Sequence, residues 1–459
     1  MQVPVACIAT LLISCCVVLS TKRQAAAQIR PDVDPGIAAL VADVSPARLQ
    51  RDVARLASFG TRHSLSDPSS ATRGIGAARE WIFRELQQSS PKLQVSFDSH
   101  RVAPQGRIPR EVELLNVMAV LPGKSARRIY VTAHYDTVSV GPAGQIGLNT
   151  APAGQPRASS AEPNYEIDAP GANDNGSGTA LTLELARVLA NSERQFDATI
   201  VFMLWAGEEQ GLVGSRAHAQ RLGADGVPVT AVFNSDIVGG SRGGNGVIDA
   251  ESVRVYSEGP EDSMSRSLAR HVLRSAALYA PEQRVRLIAR HDRFGRGSDH
   301  SSFNQHGYPA VVFRESNENF ARQHAPADTP DGVDYEYLAR NTRVNAAAVA
   351  SLALAPPAPE VVDERGVNRL GRQPSGYDAH LQWNRAPGAV AYRVYWREAW
   401  GNDWQQHRLI GDVDRLVISG LSIDDFVFGV AAVGPGGHES LVSAYVSPLR
   451  REPEVKLVP

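Results

Sequence analysis

Five short segments of the chain carry histidines and carboxylates that could work together. They are His134-Tyr-Asp136, the Gly-rich Gly171-Ala-Asn-Asp174-Asn-Gly-Ser-Gly178, Glu208-Glu209, Asp236, and Gln323-His324-Ala-Pro-Ala-Asp328-Thr329. Three of them follow apolar runs: His134 comes directly after 129–133, Glu208 shortly after 198–205 and Asp236 after 230–233. If those runs are buried strands, their polar successors arrive at one edge of a sheet, where open α/β sheets bind ligands. Carboxylates gathered there repel one another and lose hydration, so their company implies a cation. Imidazole nitrogen and carboxylate oxygen are suitable donors for a divalent metal, zinc foremost, with manganese and cobalt fitting the same donor types. Each segment alone has a plainer reading, as the opening of a loop, a helix N-cap or a surface histidine. The charge argument holds only for the set.

The elements that must position these residues are visible as changes of period. Ile129–Ala133, Ala198–Trp205, Thr230–Phe233 and Pro309–Phe313 are continuous apolar runs and read as buried strands. Between and around them, 74–86, 179–190 and 265–278 read as helices, and a last helix is expected from Tyr335 to about Leu354. In the first of these, Ile75, Ala78, Ile82 and Leu86 fall on one face, and residues 28 to about 125 open with such helical patterns. The alternation implies an α/β domain with a mostly parallel central sheet flanked by helices, over 28–354. Residues 141–170, rich in Gly, Pro, Ala and Ser, read as a long loop, and a Pro-rich linker spans 355–372. From 373 to 452 the period becomes two, at Leu381 and Trp383, at Tyr392, Val394 and Trp396, and at Phe426, Phe428, Val430 and Ala432. That pattern describes a small all-β sandwich.

The formal net charge of −2, with both signs interleaved, argues against nucleic-acid binding and against a polybasic membrane patch. Val3–Leu19 is nearly all apolar, short for a membrane span and suited to a signal-peptide core, with Ala25-Ala-Ala27 as a cleavage site. Residues 1–27 are therefore expected to direct secretion, or export to a periplasm. A retained membrane anchor, or a lipoprotein signal ending at Cys15, is the alternative. All three cysteines lie in this segment, which leaves the chemistry of the mature chain to His, carboxylates and hydroxyls.

Taken with Trp205-Ala-Gly-Glu208-Glu209 and Asn234-Ser-Asp236, the segments resemble, in order and spacing over about 45–355, the site of the co-catalytic di-zinc aminopeptidases. That is the family of secreted bacterial leucine aminopeptidases. The resemblance implies that Asp174 bridges two zinc ions, with His134 and Asp236 completing one site and Glu209 and His324 the other. It also implies that Glu208 is the general base, acting on a hydroxide shared by the ions, and that N-terminal residues are removed from peptide or protein substrates. Asp136, two residues from His134, is expected to orient that imidazole. Asp299 and His300, in Arg296-Gly-Ser-Asp-His-Ser-Ser-Phe303, are candidates for supporting the ligands or meeting substrate. Trp205, His218 and His306 read as ordinary packing residues. The same fold also carries carboxypeptidases and one-metal glutaminyl cyclases, and a non-catalytic receptor on this fold would be expected to lose ligands, of which none is missing. The sandwich, with Tyr392-Arg-Val-Tyr-Trp396 and Phe426-Val-Phe-Gly-Val430, resembles a fibronectin type III domain, although Phe426 stands where a corner tyrosine is expected. Attachment to a surface or polymer is one role for it, spacing another.

Overall fold

Runs of apolar residues without polar interruption form strands here, and apolar residues recurring every three or four form helices. The computed structural model describes residues 33–139, 165 and 167–446. The N-terminal segment 1–27 and nearly all of 141–170 lie outside the described residues. Three helices come first: α1 (Pro35–Ala42), α2 (Pro46–Ala57) and α3 (Gly74–Ser89). Asp34 and Ser45 cap the first two, accepting from the amides of Gly36 and Arg48. On α3, Ile75, Ala78, Ile82 and Leu86 are all buried, as their spacing predicts. Each fully buried Ile or Leu of this kind contributes about 1.5–3 kcal/mol.

An antiparallel hairpin of β1 (Gln94–Val102) and β2 (Val112–Leu121) follows, in a region that opens with helical patterns and where the sequence reading names no strand. Then come β3 (Ser125–His134), α4 (Gly176–Asn191), β4 (Ala198–Trp205), α5 (Val213–Ala224) and β5 (Val229–Ser235). β6 (Ser252–Ser257), α6 (Met264–Tyr279), β7 (Arg284–Ile288), α7 (His300–Asn304), β8 (Ala310–Glu315) and α8 (Tyr335–Leu354) complete the α/β part. Its eight strands form one sheet in the order β1-β2-β4-β3-β5-β8-β6-β7. The central strands β4, β3, β5 and β8 run parallel, while β2 and β6 join them antiparallel. The expected parallel sheet is thus the centre of a larger mixed one. Helices cover both faces, which is why the middles of the central strands are apolar.

Because β3, β4 and β5 are parallel, their C-terminal ends share one edge of the sheet. His134 is the last residue of β3 and pairs in register with Trp205, the last of β4. Asp236 directly follows β5. Helix α4 starts against the same edge because Gly178 lets it: a Cβ there would stand 2.3 Å from the carbonyl oxygen of Ser235. A larger residue would push α4, and Asp174 ahead of it, away from β5.

The C-terminal part holds two antiparallel sheets. One comprises β9 (Leu370–Gly371), β10 (Ala379–Gln382) and β13 (Arg415–Ile418); the other comprises β11 (Ala391–Glu398), β12 (Gln406–Ile410), β14 (Phe426–Val433) and β15 (Ser443–Ala444). Leu381, Trp383, Tyr392, Val394, Phe428 and Val430 are buried together between them. The sheets dock on the α/β part through α6. Arg397 bonds both oxygens of Asp262 at 2.8 Å, and the Ser267 hydroxyl exchanges hydrogen bonds with the main chain of Val442.

Candidate metal centre

Four loops at the C-terminal edge of the central strands bring His134, Asp174, Glu208, Glu209, Asp236 and His324 to one cavity wall. Asp174 precedes α4, whose N-cap Asn175 accepts from the amide of Gly178 at 3.0 Å. The same Asn175 donates to the carbonyl of Ser235 at 2.9 Å, tying the α4 entry to the end of β5. His324 adopts a left-handed backbone with φ of 53°, and Ile237, beside Asp236, one of 57°. The second is costly for a β-branched residue, and such outliers cluster where structure is held for a function.

The two oxygens of Asp174 face different histidines. Oδ1 lies 3.4 Å from His134 Nε2, and Oδ2 lies 3.1 Å from His324 Nε2. His134 Nε2 is also 3.5 Å from Asp236 Oδ1, and His324 Nε2 is 3.2 Å from Glu209 Oε1. None of these four approaches has hydrogen-bond geometry, and Asp236 Oδ1 and Glu209 Oε1 are buried without a hydrogen bond among the described residues. Donors that converge without bonding one another are aimed at a common point. Around a tetrahedral ion with ligands at about 2.0–2.2 Å, neighbouring donors stand about 3.3–3.6 Å apart. The His134 separations fall in that range, and the two at His324 are slightly shorter.

The electrostatics agree. Burial disfavours a charged ring at His134, but the Glu208 charge and the close carboxylates of Asp136, Asp174 and Asp236 outweigh it and hold its pKa well above the usual histidine value. His324 is raised in the same way, by Glu209 and Asp174 against burial. Both rings are thus drawn toward carrying positive charge by carboxylates that want a cation. Arg314 pairs with Asp236 and, with His134, overcomes burial to hold that carboxyl at about 2. Glu208 is half-buried on the cavity wall; desolvation and the neighbouring Glu209, Asp236 and Asp299 push its pKa well up, against the pull of His134. One donor atom each from His134, Glu208 and Asp236 lie within 4.8 Å of one another. A separate trio of Asp98, His100 and His218 is a poorer candidate, since Asp98 already accepts from both rings, from Asn116 and from Arg221.

A family model described as peptidase family M28 matches residues 116–349, which include β3 to β8 and all six of the residues gathered at this wall. The chain belongs to peptidase family M28. A relative from Pyrenophora tritici-repentis, described as a probable zinc metalloprotease, is 36% identical over 444 residues, covering 89% of this chain and 86% of its own. Among solved structures, the Legionella pneumophila aminopeptidase LapA is similar with a TM-score of 0.51 at 20% identity, over 70% of this chain and 75% of that one. A Porphyromonas gingivalis glutaminyl cyclase is similar with a TM-score of 0.51 at 19% identity, over 67% of this chain and 98% of its own. At these identities both structures speak for the fold alone.

The remaining sequence candidates of this M28 chain fall in several places. The nearest acceptor for His134 Nδ1 is the main-chain carbonyl of Asp136 at 3.1 Å, with the carboxylate at 3.6 Å. The Asp136 carboxylate instead accepts from the amides of Glu208 and Glu209 at 3.2 and 3.3 Å, and from the Ser64 hydroxyl. It therefore shapes the Glu-Glu turn as much as the imidazole. Asp299 and His300 are fully buried and are not among the residues lining the cavity. Burial pushes the Asp299 carboxyl up to about 7. Trp205 packs in the core against His218 and Phe303.

Sequence reasoning missed two supports. Arg62, fully buried, donates to the carbonyls of Leu56, Tyr135 and Gly171, stitching three segments behind the site. Nothing local in Gly60-Thr-Arg-His-Ser64 announces that. Asp328 accepts from the amides of Asn173 and Asp174 at 3.0 and 2.8 Å, and so fixes where the Asp174 carboxylate points. Replacing Asp328 with alanine is expected to weaken metal affinity about 10–100-fold, as read by competition with a chromophoric chelator; unchanged affinity would remove it from the support of the site.

Proposed function

We propose that this M28 peptidase is a two-zinc aminopeptidase. The observation that carries the reading is Asp174, whose two oxygens stand at ligand spacing from two separate histidines. His134, Asp236 and Asp174 would hold one ion, and His324, Glu209 and Asp174 the other. Such ions supply Lewis-acid polarisation of the scissile carbonyl and lower the pKa of water. The Glu208 carboxylate takes the proton of the attacking water and gives it to the departing amine nitrogen. Asp136 and Asp328 hold the Glu208-Glu209 turn and the Asp174 backbone in place. The resemblance of this ligand set to that of the di-zinc aminopeptidases favours cleavage at the N-terminus. We read residues 1–27 as a secretion signal, and the two-sheet C-terminal part as a fibronectin type III-like module for attachment or spacing.

A panel of aminoacyl anilides, N-acetylated peptides, peptides ending in glutamate and peptides beginning with glutamine tests the reading, each with and without a chelator. Hydrolysis is expected for the free-amine substrates only, is lost on chelation and returns with zinc. Cleavage of the N-acetylated peptides from the C-terminal end would make the protein a carboxypeptidase. Cyclisation of N-terminal glutamine, with one ion per chain, would make it a cyclase.

A further inference from the structure

The cavity over the metal centre offers about 420 Å³, and its wall is lopsided in charge. Beyond the proposed ligands and Glu208, its lining includes five arginines: Arg107, Arg216, Arg293, Arg296 and Arg314. Among the described lining residues only Leu212 and Ile237 present aliphatic side chains. Arg314 is neutralised by Asp236, and Arg293 by Glu318. Glu318 is shared further, with Arg254 at 2.8 Å and with Arg296 at 3.7 Å, so one carboxylate serves three guanidinium groups. Arg107 donates to the carbonyl of Glu209 at 2.8 Å and has no carboxylate partner among the described residues. Arg216, exposed near the start of α5, likewise has no ion pair among them.

This is a poor surface for a large apolar side chain, which gains about 25 cal/mol per Å² only where apolar atoms replace water. It is a good one for a carboxylate. Guanidinium groups bind carboxylates through paired N–H donors, and a concave wall concentrates their field. We propose that the cavity selects peptides bearing a carboxylate within one residue of the scissile bond, bound by Arg107, Arg216 and Arg296. The inference rests on the aminopeptidase reading and narrows its substrate class. Two sources supply such a group: the side chain of an N-terminal aspartate or glutamate, and the free C-terminus of a dipeptide.

The test uses the full-length zinc-loaded protein and two matched pairs, glutamyl against leucyl anilide, and the dipeptide Leu-Ala against its C-terminal amide. In at least one pair the acidic member is expected to have a kcat/KM about tenfold or more above its neutral partner. The pair that shows it identifies the source. That ratio is expected to shrink with added salt, to fall in Arg107→Gln and Arg216→Gln, and to be partly kept in Arg216→Lys. Equal or lower kcat/KM for the acidic member of both pairs overturns the proposal. If no substrate of either pair is cleaved, the aminopeptidase reading fails on its own, and calorimetry decides this one. Glutamate or Leu-Ala binding the zinc-loaded protein more tightly than leucine or Leu-Ala amide would sustain it; equal affinities would end it.

Discussion

Glu208→Gln is expected to lower kcat on a neutral aminoacyl anilide by about 10²–10⁴-fold, while the protein keeps its full metal content. The substitution preserves size and removes the ability to take a proton. Its informative feature is the pairing of two readouts. Glu208 sits within 4.8 Å of His134 and Asp236 donor atoms, so the geometry by itself also allows it to be a ligand. A ligand would take metal with it when replaced. A proton-transfer group would leave the ions in place and cost only the step it serves, so kcat and kcat/KM should fall together with KM little changed. Asp136 makes that outcome readable, because it holds the turn through the amides of Glu208 and Glu209 and not through either side chain. The backbone therefore has no reason to move when the side chain changes. Near-normal kcat in a fully loaded variant would show that Glu208 is not the base.

The parts of this fold that were legible in the sequence are those where burial is one-sided in its demands. β4 and the Ala310–Phe313 part of β8 are buried on both faces, so they had to be continuous apolar runs, and the polar residues after β4 marked the sheet edge. The helices α3, α6 and α8 show their buried stripes for the same reason. The β1–β2 hairpin was hidden because its pattern is interrupted. Phe97 packs on Phe83 of α3 at 4.7 Å, yet its neighbour Asp98 is also buried, satisfied by His218 and Arg221 of α5. A buried carboxylate in a strand reads as a solvent-facing residue until its partners are known, and those partners are more than a hundred residues away. Arg62 and Asp328 escaped for the same reason: their bonds go to main-chain atoms of distant segments, which no side-chain pattern records. Arg314 could have been found. An arginine directly after the apolar run Ala310–Phe313 and still within buried β8 needs a buried partner, and Asp236, directly after the adjacent β5, is the one it has.

Asp174→Ala is expected to empty the centre altogether. Among the described residues Asp174 is the one whose two oxygens each approach a different histidine, so its removal takes a donor from both groups at once. Metal analysis after dialysis should give two zinc ions per wild-type chain and fewer than one for the variant, with activity undetectable. Asp236→Ala is the comparison, since Asp236 approaches His134 alone and its loss should leave the site of Glu209 and His324 able to keep an ion. Stability supplies a second measurement that does not depend on turnover. Each ion bound to the native state at a thousandfold excess over Kd stabilises it by about 4 kcal/mol. In an α/β part of this size each kcal/mol is worth roughly 1–2 °C of Tm. Chelation should therefore lower the wild-type Tm by about 10 °C and leave that of Asp174→Ala nearly unchanged, because that variant has no bound ion to lose. A folded Asp174→Ala protein that still held two ions, or still lost Tm on chelation, would mean that the two histidines are bridged by something other than this carboxylate.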